Sequence, residues 1–323
     1  MKKDKKMFIL IEAVLGAMVV FLAFLMLREK NVDESYQISV IVENADDKQW
    51  SAFKYGLKMA AEDKGAEMVM VSTGAALHPE EEKKFIEEEI KNGADGVIVQ
   101  PVSGEDTQQI LKKVSNKAEI LLIDDALSDA EEAEGFPVIH PDAYAMGKAL
   151  AEELLKDYGG NLEGKTLGIL TGKESRSSAE KEKGFTETLK DTGAKLIWSD
   201  TKKPEIEGNT FWESKPEVDF IIALDDDSLT AAGEGAAANN LHGAIVYGIG
   251  NSTEAVYYLD TGAVECLVVP DMFHVGYESL TELVNKLEKG FYEDENPQIS
   301  YTVMRKENLF SKENQEVIFT MSQ

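Results

Sequence analysis

Cysteine is nearly absent: Cys266 is the only one in 323 residues. An intramolecular disulfide, a CxxC redox pair and a cysteine-based zinc cluster are therefore excluded. Cys266 lies in the apolar run "ECLVVP" and reads as a core residue. Histidine is also sparse, and His78, His140, His242 and His274 are dispersed without H-x-x-x-H spacing. No G-x-S-x-G elbow occurs, so no catalytic set declares itself, and neither a metal nor a cofactor is expected. Positive charge is in deficit, with 33 Lys and Arg against 60 Asp and Glu, a net charge of −27. Nucleic acid is therefore not an expected partner, because phosphates demand a basic face. The acidity reads most simply as a well-solvated surface. What is present suits a folded chain with a real core, 43% hydrophobic and 29% charged, long enough for about two domains.

The first 30 residues are a different object. In "MKKDKKMFILIEAVLGAMVVFLAFLMLREK" four lysines precede Met7–Leu27, an apolar run of 21 residues broken only by Glu12. About 20 such residues span a bilayer. The lysines place the start of the chain in the cytoplasm and the rest outside. A cleaved signal peptide would have a shorter apolar core and an A-x-A-like site, and a lipoprotein would need a cysteine after the run. An uncleaved, single-pass anchor is the expectation, with the C-terminal part extracellular or periplasmic. Without residues 1–30 the chain has 27 basic and 57 acidic residues, a net charge of −30.

From Gln37 onward short apolar runs alternate with amphipathic stretches. Strands are expected at 38–42, 67–71, 96–100 and 119–123, with helices at 50–64, 79–92 and 105–116. The pattern repeats, with strands at 167–170, 195–198, 220–224, 244–249 and 266–269 and helices at 142–157, 178–192, 228–240, 252–260 and 272–289. Apolar strands alternating with helices imply βαβ units and parallel sheets buried on both faces. Open α/β sheets bind ligands beyond the carboxyl ends of their strands. The loops after the strands are therefore where chemistry should lie.

Three strand-end motifs invite tests. "GIGNST" (248–253) has Thr253 where a dinucleotide fingerprint needs its third glycine. "TGKES" (171–175) lacks the upstream glycine and the Lys-Ser/Thr pair of a P-loop. "FIIALDDDSLTAAG" (220–233) sets three aspartates where a strand meets a helix, which permits a metal, a phosphoacceptor, a helix cap or a ligand contact. A phosphoacceptor would sit in one small cytoplasmic domain, which this chain is not.

The ordered phrases "ISVIVENADDKQWSAFKYGLKMAAEDKGAEMV", "IEEEIKNGADGVIVQPV", "EILLIDD", "VIHPDAYAMGKALAEEL", "LGILTG", "FIIALDDDSLTAAG" and "CLVVPDMFHVGYESL" resemble the type I periplasmic binding proteins, especially their ribose/galactose-binding group. The resemblance runs over nearly all of residues 37–315. It implies an α/β fold of two doubly wound, Rossmann-like parallel-sheet lobes joined by a three-crossover hinge, preceded here by one transmembrane helix. The lobes would comprise residues 31–125 plus 271–290 and residues 126–270 plus 291–323. The implied role is closure on a small ligand, a sugar or amino sugar, for an ABC permease or a membrane histidine kinase. Chemosensing belongs with the second partner.

The same resemblance implies site residues. Trp50 falls where the family stacks an aromatic on a sugar ring, or else is a core tryptophan. Glu43 and Asp47 take positions of short polar groups. Asp124 matches an acceptor of sugar hydroxyls, or else serves a cap or turn. Asp125 departs from a common arginine. Asp142 matches an acid at the entry to the second lobe, with N-capping as the alternative. Arg176 takes the place of a family arginine, unless Ala179 does. Asp226 falls at the ligand and Asp227 at the helix cap, while Asp225 receives no role. Gly250 and Pro270 replace an Asp and a Gln that bond sugar hydroxyls. The acidic set Glu43, Asp47, Asp124, Asp125, Asp142 and Asp226 suggests a cationic ligand, since close carboxylates are costly unless protonated or paired.

Overall fold

The computed structural model describes residues 16, 18, 35–74, 77–102, 106–123, 136–201, 209–289 and 297–323. The expected anchor lies outside the described residues except for Gly16 and Met18. Among the described residues no helix is long and apolar enough to cross a membrane. Residues 37–323 form one compact unit.

In chain order its elements begin β1 (Gln37–Glu43), α1 (Ser51–Lys64), β2 (Glu67–Thr73), α2 (Pro79–Lys91), β3 (Gly96–Val99), α3 (Thr107–Val114), β4 (Glu119–Ile123) and β5 (Val138–Ile139). Then come α4 (Ala143–Asp157), β6 (Thr166–Leu170), α5 (Arg176–Thr188), β7 (Lys195–Asp200), α6 (Asn209–Ser214), β8 (Phe220–Ala223), α7 (Asp226–Ala237) and β9 (Ile245–Ile249). The last are α8 (Thr253–Thr261), β10 (Cys266–Pro270), α9 (Met272–Lys289), β11 (Tyr301–Met304) and α10 (Lys312–Met321).

Two sheets result. The first has the order β2-β1-β3-β4-β5 and is parallel throughout. The second has the order β11-β10-β9-β8-β6-β7, parallel except where β11 runs against β10. Each central strand carries an unbroken apolar run because both of its faces are covered. In the second sheet Leu167, Ile169, Phe220, Ile222, Tyr247 and Val268 pack against α4 and α5. Their alternates Leu170, Ile221, Val246, Leu267 and Val269 pack against α7, α8 and the C-terminal segment. The first sheet divides likewise, with Ile41, Val97, Val99, Ile120 and Leu122 meeting α2 and α3, while α9 packs on β3 and β4.

Each half contains one close helix crossing made by two glycines. A Cβ on Gly56 of α1 would collide with the Phe273 carbonyl of α9, and one on Gly276 with the Phe53 carbonyl of α1. Gly147 of α4 and Gly184 of α5 stand in the same relation to Lys181 and Tyr144. The backbones approach too closely for any larger side chain.

β5 pairs with β4, so Val138 and Ile139, expected in the second lobe, lie in the first sheet. The two-residue strand is too short to register as an apolar run. Three connecting segments then lie side by side: Pro141 bridges Ile299, and the Asp271 N–H donates to Ser300 O at 3.1 Å. Residues 301–304 join the second sheet, whereas α10 also leans across onto α1, where Tyr55 and Phe319 meet edge-on at 6.1 Å.

Candidate functional site

The carboxyl ends of β1, β2 and β3 open onto a cavity of ≈ 200 Å³. Glu43 ends β1, Thr73 ends β2, and Gln100 follows β3. Lys173, from the loop after β6 of the other sheet, closes the wall. Its ammonium lies 2.6 Å from Glu43 Oε2. Gln100 Oε1 accepts the Glu43 N–H at 3.0 Å, leaving its amide NH2 to donate elsewhere. Further contacts join the two halves: Asn251 Nδ2 donates to Gln49 O at 2.6 Å, and Lys48 pairs with Glu254.

Glu82 forms part of the same wall. It is only 1% exposed. Its Oε1 accepts the Val102 N–H at 2.9 Å, while Oε2 has no hydrogen-bond partner among the described residues. Burial pushes its pKa up to about 7, against smaller opposing effects of the Val102 N–H and Lys173.

Sequence reasoning missed Glu82, Gln100 and Lys173. Glu82 belongs to the run "PEEEKK", which looks like a solvated helix start. Its spacing held a signal, because Glu82, Ile86 and Ile90 recur every four residues on one face of α2. Lys173 was weighed only as part of an incomplete phosphate loop.

The expected site residues fare differently from one another. Trp50 is buried: its indole N–H donates to Glu43 O at 3.0 Å and its ring meets Phe53 edge-on. That is the core placement held open from the sequence. Asp47 is exposed before a 3-10 turn at Lys48–Trp50. Asp142 accepts the Ala145 N–H at 2.8 Å and so caps α4, which was its alternative role. Arg176 begins α5 and is half-buried. Asp124 and Asp125 lie outside the described residues.

Asp225 and Asp226 make contacts that the sequence did not assign to them. Asp225, not Asp227, caps α7: its Oδ1 accepts the Ser228 N–H at 2.8 Å and its Oδ2 the Gly172 N–H at 2.6 Å. Helical geometry decides this, because the cap must precede the first helical residue. Asp226 turns its carboxylate inward, onto the Asn251 N–H at 2.9 Å and the Ser252 N–H at 2.9 Å. Burial nevertheless holds its pKa above the ordinary carboxylate range. A Cβ on Gly250 would stand 2.8 Å from Asp226 Oδ1. Gly250 thus leaves the space that the Asp226 carboxylate fills. Among the described residues no group of three or more His, Cys, Asp and Glu could hold a metal ion.

The sequence profile of the periplasmic binding protein domain matches residues 38–290. No curated protein matches. Among solved structures, one similar chain is GanP, a glucose-galactose binding protein from Geobacillus stearothermophilus. It is 17% identical with a TM-score of 0.73, over 86% of this chain and 100% of that one. A carbohydrate transporter solute-binding protein from Agrobacterium radiobacter, solved with D-arabinose, is 18% identical with a TM-score of 0.76, over 88% and 99%. The XylFII-LytSN complex contains a chain 17% identical with a TM-score of 0.71, over 84% and 98%. At these identities the likeness is one of fold.

Proposed function

Because the chain belongs to the periplasmic binding protein domain family, we propose that it is a membrane-tethered, extracellular solute-binding protein closing on a small carbohydrate-like ligand. The observation that carries this reading is the cavity at the ends of β1, β2 and β3, bridged from the other half by Lys173. Strand ends are where open α/β sheets take ligands. Glu43 and Gln100 supply polar contacts from one side, and Arg176 from the other. Asp124 and Asp125 follow β4 in sequence and complete the set we propose. The three connecting segments near Pro141, Asp271 and Ile299 serve as the hinge. The ligand then passes to an ABC permease or is reported to a sensor kinase, and a tether raises the local concentration of either. The Agrobacterium relative, a transporter component, and the two-protein XylFII-LytSN complex support those partners.

Isothermal titration of the full-length chain in detergent with D-arabinose, D-glucose and D-galactose tests the reading. Saturable heat that Asp124→Asn abolishes is the expected result, and no heat from any sugar counts against it. A second reading is an interaction module of the same fold that takes no sugar. It is favoured by the burial of Trp50 and the inward turn of Asp226. Titration that fails with every ligand, with the halves still joined, is its signature.

A further inference from the structure

Resting on the solute-binding reading, we propose that the cavity between Glu43 and Glu82 receives the ammonium group of a small hydroxylated amine, and that Lys173 occupies this place as a tethered cation when no ligand is bound. Among the described residues two carboxylates and one ammonium make up the charged wall. Around them Ile41, Leu77, Pro101 and Val102 keep the surroundings apolar. In such surroundings an unpaired carboxylate is costly, and a bound cation removes the cost. Glu82 is the second, independent observation, since its Oε2 is buried and lacks a partner among the described residues. Lys173 pairs with Glu43 but is 59% exposed at its side chain and comes from the opposite half. A long, solvated side chain in that position is displaced at little cost. The Gln100 amide NH2 adds a donor for a ligand oxygen beside the amine. At about 30 Å³ for each water, the cavity has room for about six or seven water volumes, the scale of one small polyol.

Among the described residues the charged groups facing Glu82 are few. α2 packs on α3, β3 and β1. Of these, β1 contributes Glu43 to the cavity, β3 is followed by uncharged Gln100, and α3 contributes no lining residue. Lys173 comes from the opposite half.

The test is isothermal titration of the full-length chain in detergent with glucamine, and with sorbitol as its uncharged counterpart, at pH 6 and pH 8. D-glucose is included as a neutral sugar. Glucamine should bind at least tenfold more tightly than sorbitol. Its affinity should rise about tenfold from pH 6 to pH 8, as Glu82 with a pKa of about 7 gives up its proton to solvent. Buffers of different ionisation enthalpy should report that proton's release. Glu82→Gln, nearly isosteric, should lose both the preference and the pH dependence. Lys173→Ala should bind glucamine more tightly, having lost the internal competitor. Binding of D-glucose or sorbitol but not glucamine overturns the inference and leaves the solute-binding reading intact. So does glucamine binding that Glu82→Gln leaves unchanged. No heat from any of the three overturns the inference, and no heat from D-arabinose or D-galactose either overturns both.

Discussion

Lys173 Nζ stands 2.6 Å from Glu43 Oε2, joining the loop after β6 to the end of β1 across the cavity. The contact links the halves through side chains that would also face a ligand. A second ion pair, Lys48–Glu254, and the Asn251–Gln49 hydrogen bond also join the halves.

Removing both ion pairs should loosen closure while leaving each half folded. The lysines are 59% and 64% exposed at their side chains, and such pairs contribute about 1 kcal/mol or less each. Spin labels at the exposed positions Lys91→Cys and Lys190→Cys report the separation of the halves. The Lys48→Ala/Lys173→Ala variant should show a longer and broader distance distribution. An unchanged distribution would mean that Asn251–Gln49 and Tyr55–Phe319 suffice to hold the halves together.

Gly250 and Asp226 should behave as one unit. Gly250→Ala forces a methyl to within 2.8 Å of Asp226 Oδ1 and 3.0 Å of Leu229 Cδ2, an overpacking that costs about 1–3 kcal/mol. Asp226→Ala leaves the Asn251 and Ser252 N–H groups without their acceptor, a loss of about 1–3 kcal/mol for each buried donor. The double variant should be less destabilised than the sum of the two. Urea midpoints measure the coupling, and strict additivity would contradict it.

Glu82 should make ligand-free stability fall with rising pH. Its pKa is about 7 in the folded chain against an ordinary value of 4.5. The folded state therefore holds the proton more tightly than the unfolded state does. The penalty is absent below about pH 4.5, grows as pH rises through 7 and is complete above it. A shift of this size corresponds to at most about 3 kcal/mol. Relative to the unaltered chain, Glu82→Gln should thus gain stability between pH 5 and pH 8. Equal differences in urea midpoint at both values would rule this out.

Arg305 should be the anchor of the C-terminal strand. It follows β11 and reaches α4, with Nε 2.7 Å from Glu153 and Nη2 2.9 Å from Asp157. Tyr247 donates to the same Asp157 at 2.7 Å. Arg305→Ala takes the guanidinium from Asp157 and leaves Glu153 with only the exposed Lys156, and should cost about 1–3 kcal/mol. Arg305→Lys should recover only part of the loss, since one ammonium cannot span both acids as the guanidinium fork does. Denaturant midpoints of the two variants give the comparison.

The sequence by itself determined the two runs of strands and helices. Continuous apolar strands such as "FIIA" and "CLVV" require cover on both faces, and two such blocks require two sheets. It also placed the candidate chemistry at strand ends, and Glu43 does line the cavity there. Only the tertiary structure decided what each acid does. Asp225, Asp226 and Asp227 are chemically alike and adjacent, so composition cannot divide them. The turn from β8 into α7 points Asp225 at the Ser228 N–H and Asp226 at the chain beyond β9. Glu82 and Lys173 were hidden for the related reason that their meaning depends on partners distant in sequence. A glutamate in an acidic helix start looks solvated until the fold buries it 1% exposed beside Val102, and a loop lysine looks idle until the second half brings it to Glu43. Local periodicity is fixed by bonds along the chain, whereas desolvation and charge pairing depend on which segments meet in space.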